Sequence, residues 1–205
     1  RMRALDSLLA KQKIDVVLSD DGLQHYRLPR DLEIAVIDAH RGLGNGHLLP
    51  AGPLREPSCR LEKVDWVLER NGEDPRSCFT YRVLGLRNLY SGHKFNLMDA
   101  VEALSGHTLA AVTGLGQPNQ FFEMLRAAGF VFTSHTLPDH QPLTETQLQK
   151  LKADKVLVTD KDAVKLDKIN DSRLWVVEVE ALLPPLFFDR LIGALPPPGD
   201  SQLGI

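Results

Sequence analysis

The chain has 205 residues, of which 43% are hydrophobic and 25% charged, so it has the composition of a globular protein with room for one large core or two small ones. A net charge of -3 gives no general attraction to nucleic acid, and two cysteines, Cys59 and Cys78, are too few for a disulfide scaffold and too far apart for a closely spaced zinc-ligand pair. No run reaches the roughly 20 apolar residues of a spanning helix, and the opening Arg1-Met2-Arg3 reads as a start in the middle of a protein.

Residues 4–12 place Ala4, Leu5, Leu8 and Leu9 at helical spacing, and Ile14 to Ser19 then reads as a short strand buried on both faces that runs into Asp20-Asp21-Gly22. Adjacent carboxylates at a strand end suit magnesium beside a nucleotide's phosphates, the placement of a Walker B acid. A plain Asp-Gly turn is the competing reading. Gln24 and His25 follow, and neither has a unique reading alone. Leu32 to Asp38 is a second strand ending in a carboxylate.

The stretch from Arg41 to Pro57 is too punctuated by glycine and proline for a helix and too long for an ordinary connection, which points to a functional loop. Gly44-Asn45-Gly46 and Pro50-Ala51-Gly52-Pro53-Leu54 lead to Arg55-Glu56, where a guanidinium can clamp a phosphate and a carboxylate can face a cation. A surface salt bridge is the alternative. The strand pattern resumes at Asp65 to Leu68, and Phe79 to Leu97 alternates around a turn at Ser91-Gly92, giving an antiparallel meander expected outside the parallel sheet.

From Thr108 onward strands and helices alternate. The expected order is a strand to Thr113, a helix from Pro118 to Gly129, a strand at 131–133 and a helix at 144–151. A strand at 155–159, a helix at 162–169, a strand at 174–179 and a last helix after Pro184-Pro185 complete it. Such alternation predicts an α/β fold with a mostly parallel sheet flanked by helices. Its connections hold Gly114-Leu115-Gly116, too short for a dinucleotide fingerprint. They also hold Pro138-Asp139-His140, either a proton-transfer dyad or a polar loop, and Thr159-Asp160-Lys161-Asp162, either an anion site or a helix cap. The GxxxxGK[ST] pattern of a phosphate-binding loop occurs nowhere in the chain.

Taken together, Ser19-Asp20-Asp21-Gly22-Leu23-Gln24-His25, Gly44-Asn45-Gly46, Leu49 to Glu56, Gly114-Leu115-Gly116-Gln117-Pro118 with Phe121-Phe122, Asp139-His140 and Lys161-Asp162-Ala163-Val164-Lys165 resemble, in order and spacing, the tetraacyldisaccharide 4'-kinases of lipid A biosynthesis. The resemblance implies a P-loop-kinase-like fold and transfer of the ATP γ-phosphate to the 4' hydroxyl of a tetraacyldisaccharide 1-phosphate, with Mg2+, at the cytoplasmic face of the inner membrane. It implies Asp20 and Asp21 at the metal with Glu56, Gln24 and His25 beside the nucleotide, Arg55 on the transferring phosphate, and His140 with Asp139 in acid–base work. In the family that histidine works with an aspartate of the amino-terminal region. The family's phosphate-binding loop and membrane-associating helix also lie upstream, so the resemblance implies an incomplete site that is inactive alone. The organisation expected is 1–78 as part of the core kinase domain, 79–100 as a β linker and 101–205 as a carboxy-terminal α/β segment. A non-catalytic nucleotide-binding or interaction module of the same fold is the alternative, and a glycosyl- or nucleotidyltransferase using Asp20-Asp21 is a third.

Overall fold

The computed structural model describes residues 2–138, 141, 143–166 and 169–195. They form two compact units, one from the chain up to Thr80 together with the segment from Leu183, the other from Tyr81 to Leu182.

In the first unit, helix α1 (Met2–Leu9) is followed by irregular chain up to strand β1 (Ile34–Asp38), a 3₁₀ turn (Ser58–Lys63) and strand β2 (Trp66–Arg70). β1 and β2 are parallel, in register from Ile34 opposite Trp66 to Asp38 opposite Arg70, and the first residues of strand β3 (Cys78–Asn88) continue the parallel pairing beside Glu69 and Arg70. Apolar side chains of these strands need a cover. Helix α6 (Phe187–Ala194) provides it, with Phe187 stacked on Trp66 at 4.9 Å between ring centres and packed with Leu68 and Phe79.

The expected strand at residues 14–19 does not form. Val16, Val17 and Leu18 are exposed, Leu18 by 91%, and no strand among the described residues pairs with them. The sequence is of strand type, but a lone extended segment leaves its N–H and C=O groups without a ladder and its apolar side chains without a cover. The Asp20-Asp21 turn is therefore carried by irregular chain.

The second unit contains the rest of β3, strand β4 (Lys94–Asn96), helix α2 (Leu97–Ala103), strand β5 (Leu109–Thr113), helix α3 (Pro118–Ala127), strand β6 (Thr133–Thr136), helix α4 (Glu145–Lys150), strand β7 (Lys155–Val158), helix α5 (Asp160–Ala163) with a 3₁₀ turn to Leu166, and strand β8 (Leu174–Leu182). β5 pairs in parallel with β6 on one side and β7 on the other, and β7 with β8. β3 joins β8 antiparallel and carries β4 antiparallel on its turn side. The meander thus lies within the sheet. One core packs α2 and α3 through Ala100, Phe121, Phe122 and Leu125 against Leu86, Ala111, Leu157 and Trp175; a second packs α4, α5 and the 3₁₀ turn through Leu148, Ala163 and Leu166 against Val112, Val158 and Val176.

Boundaries moved where burial decided them. β6 starts at Thr133 rather than 131 because Phe130 packs into the core while Val131 points to solvent. The helix expected over 162–169 begins two residues earlier under a Thr159 cap and tightens into a 3₁₀ turn at Val164. α2, capped by Asn96 through the Asp99 N–H, was not anticipated.

Candidate active site

Chain direction places the singled-out residues of the first unit on two neighbouring loops. The first is the turn around Asp20-Asp21-Gly22, where Asp21 takes a left-handed φ of 48°. Gly22 is buried against Ser19, and a Cβ there would stand 2.6 Å from the Ser19 hydroxyl, which would have to turn away to admit a side chain. The turn continues through His25, whose N–H donates to the Gly22 carbonyl at 2.9 Å and whose carbonyl accepts from Leu28 at 3.0 Å.

The second is the glycine- and proline-rich loop. Asn45 folds it onto itself: its Nδ2 donates to the Ala51 carbonyl at 2.9 Å and its Oδ1 accepts from the His47 N–H at 3.1 Å. Leu49 and Leu54 close the same ring, through Leu49 N–H to the Leu54 carbonyl at 2.8 Å and Leu54 N–H to the His47 carbonyl at 3.2 Å. A Cβ on Gly52 would collide with Asn45 Oδ1 and the His47 carbonyl, which explains a glycine there. The loop is a compact knot that presents Arg55-Glu56 at its exit.

The two loops meet. Arg55 pairs with Asp21 at 3.5 Å, both largely exposed, and Glu56 accepts from Gln24 Nε2 at 3.1 Å and from the Tyr26 hydroxyl. Asp20 and His25 lie on the same turn. Arg55, Glu56, Asp21 and Gln24 are thus brought together. Tyr26 was not foreseen, because nothing local marks a tyrosine whose partner is 30 residues away. Arg30, Glu33 and Arg60 were missed for the same reason. Arg30 donates to the carbonyls of Gly22 and Leu23 at 2.7 and 3.0 Å, and both arginines stand beside the Tyr26 ring, at 5.9 and 5.8 Å from its centre.

Among the described residues no three histidine, cysteine or acidic side chains converge as a ready-made metal cage. Magnesium does not require one, since it keeps several waters and takes one or two carboxylates together with substrate phosphates. The oxygen-only donors of the exposed Asp20 and Asp21 and the half-buried Glu56 fit that chemistry.

In the second unit, the carboxyl ends of β5 and β7 are joined by one buried acid. Asp162, 3% exposed, accepts from the Thr113 hydroxyl at 2.9 Å, the Thr159 hydroxyl at 2.7 Å and the Gly114 N–H at 3.2 Å, with Lys165 at 3.8 Å. Thr159 caps α5, so Asp162 is the tie between strand ends rather than the cap itself. The chain leaving β6 returns to these ends, Leu137 N–H donating to the Thr113 carbonyl at 2.9 Å. Asp139 and His140 lie outside the described residues.

The profile of a family described as tetraacyldisaccharide-1-P 4'-kinase, LpxK, matches residues 1–195. The chain belongs to this family. A tetraacyldisaccharide 4'-kinase of Pseudomonas aeruginosa (strain LESB58) is 45% identical over 190 residues, covering 91% of this chain and 56% of that protein. One from Shewanella baltica (strain OS185) is 40% identical over 204 residues, covering 95% and 58%. A solved structure of LpxK from Aquifex aeolicus, an "apo" form in complex with ATP, matches with a TM-score of 0.62 at 23% identity, over 85% of this chain and 54% of that one. That likeness is one of fold, and it agrees with the α/β architecture of the LpxK kinases. This LpxK-family chain spans somewhat more than half the length of the curated relatives it matches.

Proposed function

We propose that this chain supplies the metal-side residues and part of the acid–base machinery of an ATP-dependent kinase that phosphorylates the 4' hydroxyl of tetraacyldisaccharide 1-phosphate. The observation that carries the reading is the meeting of the Asp20-Asp21 turn with Arg55-Glu56, through Asp21 to Arg55 at 3.5 Å and Gln24 to Glu56 at 3.1 Å, in a member of this family. In this reading residues 1–78 belong to the core kinase domain, 79–100 form a β linker and 101–205 a carboxy-terminal segment.

Asp20, Asp21 and Glu56 would hold magnesium through carboxylate oxygens, directly or through water. Such an ion would supply neutralisation of the phosphate charge. Asp21 and Arg55 are both well exposed, so their pairing is worth little and is readily exchanged for a phosphate on Arg55 and a cation on Asp21. Arg55 then stabilises the transferring phosphoryl group, while Gln24 and His25 flank the nucleotide. His140, with Asp139 beside it in sequence, accepts the proton of the attacking 4' hydroxyl, together with an aspartate supplied from outside these residues. No helix among the described residues is long and apolar enough to cross a membrane. Family membership is what supports the further reading that the enzyme works at the cytoplasmic face of the inner membrane.

The test is transfer of labelled γ-phosphate from ATP to the lipid acceptor by the full-length gene product, with Asp20→Ala, Glu56→Ala and His140→Ala made separately. Each is expected to lower kcat by about 100-fold or more, the scale of losing an electrostatic or proton-transfer group. Unchanged rates in all three would sink the mechanism, and nucleotide binding without any transfer by the wild type would favour a non-catalytic module.

A further inference from the structure

Behind the candidate loops lies a charged group with no role in the chemistry above. The side chains of Arg30, Glu33 and Arg60 are 16, 14 and 14% exposed. One carboxylate joins both cations, Glu33 Oε1 to Arg30 at 2.8 Å and Oε2 to Arg60 at 2.6 Å. Each arginine in turn serves one loop. Arg30 donates to the carbonyls of Gly22 and Leu23, directly after the double aspartate. Arg60 sits in the 3₁₀ turn that follows Arg55-Glu56-Pro57, and its guanidinium, like that of Arg30, stands against the Tyr26 ring whose hydroxyl bonds Glu56. The hydrogen bond to Glu33, with attraction from Glu33 and Glu56, holds Arg60 above its ordinary pKa against the opposing effect of burial.

We propose that Arg30, Glu33 and Arg60 are positioning residues, a carboxylate-centred strap that fixes the separation of the Asp20-Asp21 turn from Glu56 and, through Tyr26, the direction of the Glu56 carboxylate. The geometry stands by itself; its consequence for catalysis rests on the phosphotransfer reading. Neither loop belongs to a strand ladder apart from one isolated bridge between Leu48 and Leu54, so each depends on side-chain bonds for its place. Misplacement of a reacting geometry by about 1 Å costs on the order of 100-fold in rate. Glu33→Gln keeps the shape of the centre and removes its charge, leaving two enclosed guanidiniums facing a neutral amide.

In the full-length gene product, Glu33→Gln is expected to lower kcat for phosphate transfer by about 10- to 100-fold, raise the free magnesium needed for half-maximal rate, and change KM for the lipid acceptor by less than about twofold. Arg60→Lys keeps the charge without the planar fork, and its kcat is expected to fall between those of the wild type and Glu33→Gln. Amide exchange of residues 20–25 and 54–56, measured without nucleotide, is expected to quicken in both loops together. Exchange unchanged in either loop overturns the strap, and so does faster exchange with wild-type kcat and magnesium dependence. Should Glu33→Gln fail to fold, the same measurements on Arg60→Lys decide. If the wild-type gene product transfers no phosphate, the kinase reading falls and the exchange experiment alone judges the strap.

Discussion

Asp162 is an acid whose surroundings are almost entirely protein. Two hydroxyls, from Thr113 and Thr159, and the Gly114 N–H all point at its carboxylate. Replacing it by alanine leaves these donors buried without an acceptor, at about 1–3 kcal/mol for each group that water cannot reach. Part of that cost is recovered by rotation of the hydroxyls, so Asp162→Ala is expected to destabilise the second unit by about 2–4 kcal/mol, read as a lower urea midpoint with an unchanged m-value. A stability within about 0.5 kcal/mol of wild type would show that the tie carries no weight. The sequence suggested a choice between an anion site and a cap at Thr159 to Asp162. What it could not reveal is that Thr113, 49 positions away, donates to the same carboxylate.

Strands β3, β4 and β8 are joined by charges as well as by their ladders. Glu178 on β8 accepts from Lys94 on β4 at 2.8 Å and from Arg87 on β3 at 3.2 Å; just before β8, Asp171 is held by Arg173 at 2.8 Å. Both carboxyls lie below their usual pKa, Glu178 chiefly through the Lys94 hydrogen bond and Asp171 chiefly through that of Arg173, with burial opposing in each case. A folded pKa below the unfolded one means the stabilisation is complete above the unfolded value, near 4, and is lost as pH falls from there through the folded value. The urea midpoint is therefore expected to be flat from pH 7 to about 5 and to fall below about 4, with a shallower fall in Glu178→Gln and Asp171→Asn. An equally steep acid limb in both variants would assign the loss to other groups. At this scale the alternation after Thr108 was readable because each element has its own period and stop signal, such as Pro118 opening α3 and Gly129, at a positive φ, closing it. The place of β3 was not readable, because pairing partners leave no local trace.

Across the whole molecule, the conspicuous feature is a stretch of strand-like sequence that forms no strand. Residues 14–19 lead into the double aspartate, and the side chains of Val16, Val17 and Leu18 face solvent. The chain carries no GxxxxGK[ST] pattern and spans 56% of a relative 45% identical to it, and the proposed reaction takes its phosphate cradle from outside these residues. The 205-residue chain alone is accordingly expected to give no ATP-dependent phosphorylation of the lipid acceptor above background. Detectable transfer by the purified chain would refute the proposal of an incomplete site.

The sequence by itself determined the α/β alternation, the loop character of 41–57 and the family, because these reside in local periodicity, in glycine and proline placement and in long specific blocks. Tertiary structure alone decided that residues 14–19 stay out of a sheet and that Arg55-Glu56 meets Asp21, Gln24 and Tyr26. It also decided that Glu33 joins two arginines and that Asp162 ties two strand ends. The reason is the same in each case. A ladder, an ion pair or a buried hydrogen bond requires two segments distant in the chain, and the free energy of meeting belongs to neither segment alone.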